Sequence, residues 1–258
     1  MELWTFEHFI TIIPTIIIFA IITFILNRLL RNKSYKIRMI PFQVVACILL
    51  LSEVLKQVIS IFNGYNLYHI PLHVCSLFVF LIPLMAFYRG KGENIIRTLT
   101  CTVCISLTLF MIVYPNLIYS KEDILGFFEN YFAFHTVFFH NGVLFAFMLI
   151  IGLNLHSYDK KKYDKYVLIY SAGYSLLVAI MSQLLKINFS NFYTCNVGPI
   201  NDLVNNIKNS IGYVGGQTLY VVILILLHIA FFYGSYKLYI LFDLIVKKMT
   251  NKSKKQIN

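Results

Sequence analysis

The sequence predicts an all-α polytopic membrane bundle of about seven transmembrane helices, and three observations predict it. Of 258 residues, 59% are hydrophobic and 13% charged, against about 25% charged in an ordinary soluble domain. The mean hydropathy is +0.72, and the apolar runs recur at about the 20 residues a helix needs to cross hydrocarbon. None of the runs alternates as a barrel strand must, so their backbone groups have to be satisfied inside helices. A soluble enzyme of ordinary type, a disordered chain and a coiled coil are excluded. Five cysteines among apolar neighbours make no disulfide framework.

The spans are expected at approximately 9–29, 39–62, 71–88, 95–118, 132–154, 165–187 and 215–243. The amino end (MELWTFEH) lacks the basic region of a signal peptide, so the first apolar stretch is expected to stay as a span. The second carries Ser52, Glu53, Lys56 and Gln57, polar groups that are expensive at membrane depth. Glu53 and Lys56 have the i, i+3 spacing of an ion pair; such a pair either serves a site or locks two helices together. The third opens with Pro71 at a plausible first helical position, followed by Leu72, His73, Val74 and Cys75. His73 would then lie about 200° around the helix from Cys75, so a base for the thiol is expected from another helix. The fourth holds Cys101 and Cys104 in an apolar helix, without the βαβ context of a redox motif. The fifth, in FFHNGVLF, supplies His140 and Asn141, with His135 nearer the surface. Ahead of the last span, residues 188–214 form the one long connection, turn-rich in NFYTCNVGP and GYVGG; it reads as a lid or as a structureless connector. His228 in the last span reads as an interior histidine, and Cys47 as packing.

Seventeen of the 22 basic residues fall in the first, third and fifth loops and the tail, where Arg28, Arg31, Arg89, Lys160 and Lys247 are examples. Cytoplasmic loops carry that excess, so the amino end is expected outside and the carboxyl end in the cytoplasm. The net charge of +11 is thereby an orientation signal, and nucleic acid is not an expected partner. Residues 1–246 read as one membrane-embedded domain and 247–258 as a basic cytoplasmic tail. At 1.5 Å per residue, Cys75, Lys56, His140 and Glu53 lie roughly 6, 9, 12 and 13 Å below the outer boundary. A shared depth predicts one polar pocket opening outward; separately satisfied interhelical hydrogen bonds are the other reading. His69, His73 and Cys75 lack metal-site spacing because Pro71 interrupts it, and no metal or other cofactor is expected. The motifs of common hydrolases, zinc proteases and nucleotide-binding loops do not occur.

Several of these features resemble the YwaF / transmembrane protein 164 group of integral membrane proteins. They are Glu53 and Lys56, the PLHVC of Pro71 to Cys75, His140 and Asn141 in FHN, Asn191 with its following aromatics, and GYVGGQTLYV. The resemblance covers most of the chain, and PLHVC is its most specific part. The chain departs from the group at Thr194 and Cys195, and in lacking the tryptophan that bacterial relatives carry near GYVGGQTLY. Eukaryotic members are implicated in phospholipid acyl transfer through a cysteine thioester, and the fold is similar to that of the androgen-induced lipid hydrolases. The resemblance implies Cys75 as acyl-accepting nucleophile, His140 as general acid and base, and His73 as a group that supports or orients them. It further implies substrate contacts at Glu53, Lys56, Asn141 and Asn191, membrane phospholipids as partners, and a multi-pass plasma-membrane protein of undetermined oligomeric state. Water as acceptor would make it a lipid hydrolase. A small-molecule transporter using Glu53, Lys56 and His140, and a noncatalytic membrane assembly protein, are the rival expectations.

Overall fold

The computed structural model describes residues 3–156, 163–195 and 198–255; Lys160, Lys161 and Lys162 of the basic fifth loop lie outside them. The described residues form helices and turns with no strand: α1 (Phe6–Leu30), α2 (Tyr35–Phe62), α3 (Leu77–Phe87), α4 (Glu93–Val113), α5 (Lys121–Leu125), α6 (Tyr131–Gly152), α7 (Asp164–Leu185), α8 (Gly198–Ile211) and α9 (Tyr213–Lys255). Among these, α1, α2, α4, α6, α7 and α9 as far as Ile245 are long and apolar enough to cross a membrane. The bundle expected from composition is therefore present. At its centre α4 and α6 pack together; α3 and α9 close on α4, α1 and α2 on α6, and α7 on α9. Phe42, Phe78, Ile82, Met85 and Phe232 are fully buried in the core. The outer surface stays apolar, with Ile17, Ile21, Phe24 and Ile25 of α1 exposed. On a soluble protein such a face would drive association; here hydrocarbon covers it.

The third span differs from the expected helix over 71–88. Its apolar helical stretch runs only over Val74–Phe87, about 21 Å at 1.5 Å per residue against about 30 Å of hydrocarbon. Pro71 is not a first helical residue. The Leu72 N–H bonds back to Ile70 O (2.7 Å), Leu72 O accepts from Tyr174 Oη (2.9 Å), and the Val74 N–H donates to Ser190 Oγ (3.0 Å). Tertiary partners thus satisfy backbone groups that a helix would otherwise use. His73 is extended (φ −70°, ψ 153°), and a 3-10 turn over Val74–Ser76 leads into α3.

The connection before the last span also has structure of its own. α8 packs on the first turns of α9, joined by Gly212 at φ 83°, a left-handed conformation that glycine adopts freely. A Cβ at Gly216 would lie 2.6 Å from Lys208 Cα, so the missing side chain is what lets the two helices approach. From Gly198 on, the expected connection is α8 and the turn into α9, with GYVGG at the bend.

Polar side chains close to the first and third connections satisfy helix ends. Arg38 Nη1 donates to Leu153 O (2.8 Å) and Asn27 Nδ2 to Gly152 O, at the end of α6. Arg89 donates to Met85 O (3.2 Å) and Ala86 O (2.6 Å), at the end of α3. These carbonyls have no intrahelical partner, and a cation is favoured at the negative end of a helix.

Candidate functional site

Two cavities meet at Cys75. The first, about 290 Å³, carries the ionisable groups; Glu53, Lys56, His69, His73, Cys75, His135 and His140 all border it. The second, about 390 Å³, is mainly apolar and is bordered by Phe78, Val103, Phe110, Leu227 and Phe231, with Ser106, Asn188, Ser190, Asn191 and His228 also in its wall. Tyr68, His73, Cys75, Leu117 and Ile118 belong to both walls. The half-buried Cys75 sits in the 3-10 turn ahead of α3.

Glu53 organises the first cavity. It is 4% exposed, yet Lys56 Nζ reaches both of its oxygens, at 2.7 and 2.8 Å, and Gln57 Nε2 donates to Oε1 at 2.7 Å. His135 Nε2 from α6 comes within 3.0 Å of Oε2. A buried carboxylate needs this many partners, because desolvation otherwise disfavours its charge. Gln57 also donates to His69 O (2.8 Å) and accepts from Tyr65 Oη (2.8 Å), tying the turn after α2 to the same cluster. Ser60 Oγ pairs with His69 Nδ1 at 2.6 Å. Burial, followed by the charge of Lys56, holds the His69 imidazole below its ordinary 6.5, so the ring is neutral at pH 7.

The two remaining histidines present unpaired nitrogens. His140 Nδ1 lies 2.6 Å from Thr136 O; a carbonyl only accepts, so Nδ1 carries the proton and Nε2 keeps its lone pair. Nε2 is buried without a hydrogen-bond partner. His73 is tied to the Tyr68 backbone, packs against the Tyr68 ring at a tilt (4.4 Å between centroids, 58° between planes), and also has a buried Nε2 without a partner. Because His73 precedes the helix, the 200° separation expected from Cys75 does not apply. Both rings border the cavity that holds the thiol.

Asn191 and Asn141 stand elsewhere. Asn191 is left-handed (φ 68°), as is Ser190 (φ 50°), and its carbonyl accepts from Tyr220 Oη. That turn is what carries Ser190 to Val74 and sets Asn191 in the wall of the apolar cavity. Asn141 borders neither cavity; its Nδ2 donates to Val137 O (2.8 Å) within α6. Sequence reasoning missed His135 as a partner of Glu53, Ser190 and the paired role of Gln57. The only available signal was electrostatic: a carboxylate at that depth requires more than one lysine.

Among the described residues no cluster of histidine, cysteine and carboxylate side chains has the arrangement of a metal site. The sequence model described as the TMEM164 family matches residues 3–236 of the chain. No curated protein and no solved structure matches it.

Proposed function

Because the chain belongs to the TMEM164 family of membrane proteins, we propose that it is a membrane-embedded lipid transacylase with Cys75 as nucleophile and His140 as its base. One observation carries the reading: Cys75 lies where the cavity that carries the ionisable groups meets the mainly apolar one. An ester linkage between a polar headgroup and an acyl chain needs that juxtaposition at the reacting atom.

In the first displacement the Cys75 thiol gives its proton to His140 Nε2, and sulfur attacks the ester carbonyl carbon of a phospholipid. The C–O bond to the lysolipid breaks, and His140 returns the proton to the departing oxygen. The acyl group is then a thioester on Cys75. In the second, the hydroxyl of a lysophospholipid loses its proton to His140 and attacks the thioester carbon. The C–S bond breaks and sulfur recovers the proton. Water in the acceptor's place gives a free fatty acid. His73 orients the thiol, while Glu53 and Lys56 face the headgroup and Asn191 the chain. We assign the protein to the cell membrane with its amino end outside, so that the donor is a lipid ester and not a cytoplasmic thioester.

Lipid profiles of cells carrying wild type or Cys75→Ala test this. The acyl pairing of phospholipids should change with the substitution, and identical profiles would count against it. His140→Asn should lower transfer about 10²- to 10⁴-fold, the usual contribution of a general base; a larger loss in His73→Asn than in His140→Asn would exchange their roles. The rival small-molecule pathway draws on the same charged cluster, and proteoliposome flux that needs Glu53 but survives without Cys75 would favour it.

A further inference from the structure

A third cavity, about 270 Å³, lies between α8 and α9. Ile200, Leu203, Val204 and Ile207 of α8 face Leu219, Tyr220 and Ile223 of α9 across it. It shares Asn191, Leu224 and Leu227 with the apolar cavity beside Cys75. On α9 the positions Gly216, Tyr220, Ile223, Leu227 and Phe231 follow at spacings of three and four, which puts them along one helix face. Gly216 and Phe231 are separated by about 22 Å of helix. Gly216 closes the far end, where Lys208 of α8 comes against its Cα.

We propose that this slot holds the acyl chain of a bilayer lipid, with the ester end toward Cys75 and the chain end under α8; the proposal rests on the transacylase reading and names where its substrate's tail lies. The lining is apolar, so no headgroup or ion is accommodated. Continuity through Asn191, Leu224 and Leu227 leads to the thiol. Leu227 is also 59% exposed, beside Leu226 at 61%, on a helix apolar enough to cross a membrane. The slot therefore opens sideways into hydrocarbon, where lipid chains are the available occupants.

The test uses the full chain in phosphatidylethanolamine and phosphatidylglycerol vesicles doped with a phosphatidylcholine that carries a diazirine at the end of one acyl chain. After irradiation, adducts are mapped by peptide mass spectrometry. Val204 and Tyr220 are buried, at 7% and 8% exposure, so lipid surrounding the bundle does not reach them. Adducts on these two residues are expected, and should fall about tenfold in Ile223→Trp while staying at wild-type level in Val222→Trp, which borders none of the slot. Adducts confined to exposed residues, or equally strong on Val204 in both variants, overturn the proposal. Acylation of Cys75 measured on the same samples separates the two readings. Slot adducts without any Cys75 thioester refute the transacylase alone, whereas a thioester without slot adducts refutes the slot alone.

Discussion

At the residue scale, Glu53 is the group whose environment is most demanding. Lys56, Gln57 and His135 all converge on its carboxylate. Glu53→Gln leaves Lys56 at 14% side-chain exposure without its counter-charge, and breaking a buried pair from one side costs about 3–5 kcal/mol. Thermal unfolding in detergent should show a loss of that order, and the double variant Glu53→Gln/Lys56→Met should recover much of it. A loss in the double variant equal to that in the single one would mean that the pair itself is not what stabilises the second span. His69 gives a pH-dependent counterpart. Its folded-state pKa lies below the ordinary 6.5, so between those two values the unfolded chain binds more protons and stability rises with pH. The stabilisation is complete above 6.5 and is lost as the pH falls through the folded value. His69→Gln should flatten the dependence of the unfolding midpoint on pH below 6.5; an unchanged slope would remove His69 as its source.

At the scale of elements, the spans were legible in the sequence where length alone decides. Six apolar runs long enough to cross hydrocarbon became six helices, because in lipid the backbone has few other ways to satisfy itself. The start of the third helix was not legible, for a reason that lies far off in the chain. Ser190 and Tyr174 take backbone groups of Val74 and Leu72, and nothing in the local pattern of PLHVC reveals partners more than 100 positions away. The shared cavity of Cys75, Lys56, Glu53 and His140 follows the depth arithmetic even though α3 begins late. His135 and the position of Asn191 depended on contacts across helices and on left-handed turns. Gly216 permits the approach of α8, and a methyl there meets backbone atoms of Lys208, which have little freedom to move. Gly216→Ala should cost about 1–3 kcal/mol and open α8 to limited proteolysis, whereas Gly142→Ala meets only the flexible end of Leu49 and should cost less. Equal protection of α8 in Gly216→Ala and wild type would contradict the close-approach explanation.

For the whole molecule, the charges and the site imply one another's placement. Arg38 and Arg89 satisfy carbonyls at the ends of α6 and α3, on the side that the positive-inside rule makes cytoplasmic. Cys75 lies at the opposite end of α3 from Arg89, so under that orientation the proposed nucleophile faces the outer leaflet. An epitope at the amino end should be open to protease in intact cells and one at the carboxyl end protected; the reverse pattern would turn the pocket inward and make a cytoplasmic acyl donor accessible. The most direct measurement concerns the thiol itself. Purified protein is mixed with a tagged phospholipid and a lysophospholipid acceptor, quenched during turnover, and the peptide containing Cys75 is weighed with and without hydroxylamine. An acyl adduct on Cys75 that hydroxylamine removes, absent together with acyl transfer in Cys75→Ser, is the expected result; undiminished transfer by Cys75→Ser would contradict it.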